Sequence, residues 1–204
     1  MRGVVVVVAL STVLAAHAAA AGPDRCGTRD HRTLWLKDLY RGDEIRVAPF
    51  GGHGIPCQRD WRRISRFFRD RHDHGRTVAP GLLRVLAQVQ RHFGGRPLHL
   101  MSGYRAPGDP QALSSYHQVG HAADIWIDGV ENRYLFEYCR ALQGTGQRLG
   151  CGYYPAGAHV HVDVRSRSTI WVDLSGYGDG ADKPHASGIE QRLRRGGGES
   201  VLAI

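Results

Sequence analysis

The stretch Ser115-Tyr116-His117-Gln118-Val119-Gly120-His121-Ala122-Ala123-Asp124 decides how the chain is read. It sets an imidazole (His117) and a carboxylate (Asp124) on either side of a glycine. Downstream, His159-Val160-His161-Val162-Asp163 supplies a second cluster. Two histidines and one aspartate from two segments form a ligand set that zinc accepts in open sites, where a fourth position is left to water. His117, Asp124 and His161 are therefore the expected ligands of one zinc ion per chain. Gly120 lets the backbone turn tightly between the first two.

Alternation sorts the strand that carries the motif. Ala123, Ile125 and Ile127 are expected to face a core, and Ala122, Asp124 and Trp126 the opposite side. His121 falls on the core-side parity and reads as structural. Asp128 is placed to cap a helix, with Glu131 in the capping-box position. That helix should run to about Gln143, with Leu135, Cys139 and Leu142 inward and Gly144 and Gly146 closing it. Residues 149–154 and 159–164 read as two strands joined by Pro155-Ala156-Gly157. In the second, Val160, Val162 and Val164 point to the core, while His159, His161 and Asp163 share the other face. His159 then lies about 7 Å from His161 at ~3.4 Å per residue, close enough to serve as general base or merely to line the pocket. Asp163 either orients a ligand imidazole or is a solvated carboxylate. A last strand is expected over 169–174.

Upstream, 33–40 and 44–50 look like a hairpin around Arg41-Gly42-Asp43. A helix over 59–71 follows from Trp61, Ile64 and Phe67 or Phe68. His72-Asp73-His74 reads as its solvated exit rather than a second metal site. Pro80 fits the first turn of a helix whose buried face is Leu82, Leu83, Leu86, Val89 and Phe93. A short strand over 98–101 and an irregular loop from Ser102 to Gly108 lead back to the motif. Arg105 in that loop has the fork geometry for a substrate carboxylate or a developing oxyanion, or is one surface arginine among many.

Composition sets the outer limits. The 204 residues are 42% hydrophobic and 23% charged, which is ordinary for one globular domain. The formal charge is +8, and Lys37 and Lys183 are the only lysines. Such a surface suits an anionic partner, or reflects arginine-rich composition alone. No nucleic-acid module is visible, so no nucleic-acid partner is expected. Residues 1–20 read as a signal peptide, with Arg2, an apolar run from Val4 to Ala16, and small-x-small cleavage sites at Ala16-His17-Ala18 and Ala18-Ala19-Ala20. Without another apolar run of spanning length, no stable membrane insertion is expected after cleavage. An even set of cysteines, Cys26, Cys57, Cys139 and Cys151, suggests two disulfides in an exported chain. Cys26–Cys57 with Cys139–Cys151 is preferred because each closes a short local loop. The domain is expected over 21–175, with a flexible tail over 176–204.

The ten-residue pattern Ser115-x-His117-x-x-Gly120-x-Ala122-x-Asp124 resembles the signature of the zinc D-alanyl-D-alanine peptidases of bacterial cell walls. Ser102-Gly103-Tyr104-Arg105 is similar to their Ser-Gly-Tyr-Arg element. Gly150 to Pro155, followed by Val160-His161-Val162-Asp163, resembles the YcbK-like murein endopeptidase branch. The resemblance implies a hedgehog/D-Ala-D-Ala-peptidase α+β fold, an antiparallel sheet carrying the zinc with helices packed behind. It implies metal ligands at His117, Asp124 and His161, and a substrate contact at Arg105; Ser115 and Tyr154 are expected to bind substrate beside it. The implied chemistry is attack of a zinc-bound water on peptide cross-links of peptidoglycan, with Arg105 contacting substrate near the metal; His159 is the expected catalytic base on its strand position alone. The implied setting is periplasmic or secreted, acting on peptidoglycan peptide stems; a monomer is expected. The chain departs from the branch in having His159 where an aromatic residue is usual and Arg165 where a glycine is usual. Arg167 and Trp171 are also spaced differently. Two other readings share the motif. One is a D,D-carboxypeptidase that trims terminal D-alanine, and the other is a non-catalytic wall-binding module whose zinc is closed by a fourth protein ligand.

Overall fold

The computed structural model describes residues 33–51, 57–107, 115–156 and 159–174, and the backbone of 201–203. The expected signal peptide lies outside the described residues, as does all of the expected tail except 201–203.

Strands β1 (Leu34–Asp38) and β2 (Glu44–Val47) form the expected hairpin, with Leu36 opposite Ile45. Helices α1 (Gln58–Phe67) and α2 (Pro80–His92) follow, then β3 (Leu98–Ser102), a 3₁₀ turn (Tyr116–Val119) and β4 (Ala122–Trp126). Helix α3 (Asn132–Gly144) leads to β5 (Leu149–Tyr154), β6 (His159–Val164), β7 (Thr169–Val172) and β8 (Val201–Ala203). They build one sheet in the order β2-β1-β3-β4-β6-β5-β7-β8.

The α+β class is as expected, but the sheet is mixed rather than antiparallel. Strands β3, β4, β6 and β5 are antiparallel neighbours, whereas β1–β3, β5–β7 and β7–β8 are parallel. The chain leaves β1 through the hairpin to β2, and α1 and α2 then carry it back so that β3 runs opposite to β2 and parallel to β1 on its other side. β6 turns back on β5, and β7 turns back again to β5's far side. The pairing of β8 with β7 places a strand where only irregular chain was expected.

One face of the sheet carries the core. Leu82, Leu83, Leu86 and Val89 of α2 and Leu135, Phe136 and Leu142 of α3 join Leu36, Leu100, Ile125, Val160 and Val162 in one buried cluster. Cys139 of α3 is bonded to Cys151 of β5 on this side. Cys57 is disulfide-bonded too, and its expected partner Cys26 lies outside the described residues.

Two expected helix boundaries move. Helix α1 ends at Phe67, because the Phe68 carbonyl accepts the Tyr104 N–H at 2.7 Å and the Asp70 carboxylate gathers the N–H groups of His72 and His74 into a turn. His72 and His74 sit exposed on that turn, as the solvated-exit reading expects. The capping box at α3 is not formed. Glu131 occupies the cap position without a side-chain bond, and Asp128 is drawn instead to His99 Nε2 at 2.8 Å. Among the described residues no helix is long and apolar enough to cross a membrane.

Candidate metal centre

The face of the sheet away from the helices holds the site. Asp124 on β4 lies directly opposite His161 on β6. A direct cross-strand pair on one face brings Cβ atoms to roughly 5 Å, so two of the expected ligands meet through register alone. His117 arrives from the 3₁₀ turn. Ser115 Oγ accepts the His117 N–H at 3.2 Å and starts that turn. Gly120 ends it at φ +72°, in the left-handed region, and a Cβ there would lie 2.5 Å from the Thr77 carbonyl oxygen. The Gly120 carbonyl accepts the Ala79 N–H at 2.9 Å, which ties the turn to the entry of α2.

Three ligand atoms converge. His161 Nδ1 is 2.9 Å from Asp124 Oδ1 and 3.2 Å from His117 Nε2, and the third side of the triangle, His117 Nε2 to Asp124 Oδ1, is 3.3 Å. Zinc–ligand bonds of about 2.0–2.1 Å in a tetrahedron require ligand–ligand edges of about 3.3 Å. The triangle fits that demand with little adjustment. All three residues are buried, and His117, Asp124 and His161 form the cation-competent group found among the described residues.

The outer hydrogen bonds decide which lone pairs face inward. The Gly103 carbonyl can only accept, so His117 Nδ1 donates to it and Nε2 is left as a lone pair. His161 Nε2 lies 2.9 Å from Asp163 Oδ2, a fully buried carboxylate that accepts, so Nδ1 is the inward lone pair. With Asp124 Oδ1, three acceptors point at one another. Such an arrangement requires a cation or a proton at its centre. Without an ion, a proton on His161 fills that need. Burial alone would lower its pKa, but hydrogen bonds to Asp124 and Asp163 raise it to about 9. Burial would raise Asp124, yet His117 and His161 hold it well below the usual carboxylate range. Burial holds His117 below the usual imidazole value.

Arg105 stands at the rim, with its side chain 23% exposed. It bonds the second oxygen of Asp124 through Nη2 and donates from Nε to Ser102 Oγ at 2.8 Å. The expected electrophile therefore also aims Asp124. His159 is half-buried and stacks on Tyr154 with ring centroids 4.4 Å apart. It lies outside the group of His117, Asp124 and His161 whose ligand atoms converge. The Tyr154 hydroxyl accepts Trp171 Nε1–H at 2.9 Å, and burial pushes the phenol pKa up. Ser115, expected at the substrate, is engaged in capping the His117 turn. His121, expected on the core side, is half-buried, and its ring stacks loosely on Tyr116.

Several contributors were not legible beforehand as parts of the site. Trp171 packs on His161 at 5.0 Å between ring centroids, in space that exists because Gly152 lacks a Cβ. Arg165 forks onto Asp163, and Gly150 makes room for that pair. The two alternate glycines on β5 were the available signal, but their partners depend on which strands flank β5.

The family model for peptidoglycan L,D-endopeptidase MepK matches residues 27–169, which include all three cage residues. The chain belongs to this family of murein endopeptidases. The MepK proteins of Escherichia coli K12, Escherichia coli O157:H7 and Shigella flexneri are each 32% identical over 144 residues, covering 65% of this chain and 76% of the relative. No solved structure matches the chain. Trp171 and β8 lie beyond the stretch matched to the MepK family model.

Proposed function

We propose that the chain is an exported zinc endopeptidase that hydrolyses peptide cross-links of peptidoglycan, of the L,D class named for its relatives. The observation that carries this reading is the triangle of inward lone pairs from His117, Asp124 and His161. When bound there, a zinc ion supplies Lewis-acid polarisation of the scissile carbonyl and an ionised water at neutral pH.

The residues of the chain do the rest. His117, Asp124 and His161 hold the ion from rigid elements. Arg105 fixes Asp124 and presents its rim-exposed guanidinium to the developing negative charge on the carbonyl oxygen. His159, two residues along β6, takes a proton from the attacking water and returns it to the leaving amine. Tyr154 and Ser115 contact the peptide stem beside it. Support for cross-link cleavage over terminal trimming comes from the relatives, which are named L,D-endopeptidases. Support against a purely structural ion comes from the three-residue ligand set, since structural zinc sites are closed by four. The Cys139–Cys151 bond and the signal-like residues 1–20 support a periplasmic or secreted setting.

The test is digestion of purified cross-linked muropeptides, resolved by chromatography, with metal content measured on the same preparations. Wild type should release monomers and carry about one zinc ion per chain. His161→Ala should lose both. His159→Ala should keep the zinc and lose about 10²–10⁴-fold in rate. Zinc binding without any product from L,D- or D,D-linked dimers would defeat the enzymatic reading.

A further inference from the structure

We propose that Arg165 is a positioning residue that fixes the tautomer and aim of His161 through Asp163, and so sets how tightly the cage holds its ion. This rests on the metal reading above.

Asp163 has no exposure at all; both of its oxygens bond Arg165, and Oδ2 also bonds His161. Arg165 Nε donates to Asp163 Oδ1 at 2.6 Å, and Arg165 Nη2 donates to Oδ2. A guanidinium can only donate, so this two-pronged contact makes both carboxylate oxygens acceptors. The remaining partner of Oδ2, His161 Nε2, must then donate, which leaves Nδ1 as the lone pair inside the cage. The sense of each bond is dictated from Arg165 inward.

Arg165 also ties together the elements that bear the ligands. Its guanidinium carbon lies 4.6 Å from the centre of the Tyr116 ring, on the turn that delivers His117. It lies 5.4 Å from the centre of the Trp171 ring, which packs on His161. The site is built for this pair. A Cβ on Gly150 would fall 2.3 Å from Arg165 Nη2 and 2.3 Å from Asp163 Oδ2. The Arg165 side chain is only 15% exposed, so it is a packed part of the structure and not a surface arginine.

The experiment is a double-mutant cycle on zinc affinity, measured by chelator competition, with the melting temperature of the metal-free proteins as the control for packing. Removing a group that orients a metal ligand costs about 10–100-fold in affinity. R165M should show that loss, and R165K should recover part of it. D163N keeps an oxygen to accept from His161 and needs no cation beside it. In the D163N background, R165M should therefore cost less than about threefold, because the two residues act as one unit. An equal loss in both backgrounds would overturn the assignment, as would wild-type affinity in R165M. So would a loss in R165M matched by an equal loss on Tyr116→Leu, which removes the ring contact and keeps the fork. If R165M alone fails to fold, D163N/R165M against D163N decides. Failure of the double variant to fold or bind where D163N does both would overturn the proposal. Absence of zinc binding by wild type would defeat the metal reading itself. Binding by wild type with no effect of Arg165 would defeat only this assignment.

Discussion

Zinc uptake should depend steeply on pH across neutrality, because the empty cage holds a proton where the ion belongs. That proton sits on His161, whose pKa is raised to about 9 against the opposing effect of burial by its bonds to Asp124 and Asp163. His117 is lowered by burial, and Asp124 is held well below the carboxylate range despite its burial, so neither competes near neutrality. At pH 7 the proton must be displaced two units below its pKa, which costs roughly 100-fold in apparent affinity. Affinity should climb at least about tenfold per pH unit between pH 6 and 8, with about one proton released per zinc. Calorimetry in two buffers of different ionisation enthalpy counts that proton, and chelator competition gives the slope. An unperturbed histidine near 6.5 would flatten the curve above pH 7. A change below twofold between pH 7 and 8, with no buffer-dependent heat, would refute the reasoning. The same shift sets the stability of the metal-free fold. His161 is raised above its unfolded value, so its contribution is complete below about pH 6.5 and is lost as pH climbs through about 9. The full amount is on the order of 3 kcal/mol. Urea titration in the presence of chelator should show the decline, and zinc-loaded protein should not.

Two further perturbations separate the site from the scaffold. Gly152→Ala places a methyl group 2.4 Å from the Trp171 indole, a rigid buried ring packed on His161, so overpacking of about 1–3 kcal/mol should lower the melting temperature by roughly 2–12 °C. Activity should fall with it, because Trp171 backs His161 and holds Tyr154; unchanged melting would show that the ring moves freely. Cys139→Ser with Cys151→Ser opens a loop of sequence separation 12 and should cost about 3 kcal/mol in denaturant unfolding. Zinc affinity should stay within threefold, since that bond lies on the helix side of the sheet; a larger change would mean that the two faces are coupled.

The sequence by itself determined the grouping of His117, Asp124 and His161 as a candidate ligand set, the parity that puts Asp124 and His161 on one strand face, and the buried faces of α2 and α3. Each follows from local chemistry: a 2.0 or 3.6 residue period, a glycine where the chain must turn, and side chains that suit one ion. It could not decide strand order. Whether β7 pairs beside β5 depends on crossovers and on which edges remain open, and the mixed sheet follows from those alone. Two glycines on β5 look like weak strand residues until Trp171, Asp163 and Arg165 fill the space above them. The same is true of Asp128, whose short-range role as a cap lost to a partner 29 residues away, His99. The three candidate ligands were legible because each belongs to a compact motif. Of the shell that aims them, Asp163 could be weighed in advance because it sits two residues from His161, whereas the Gly103 carbonyl and the Trp171 ring reach the cage only when folding brings separate segments together.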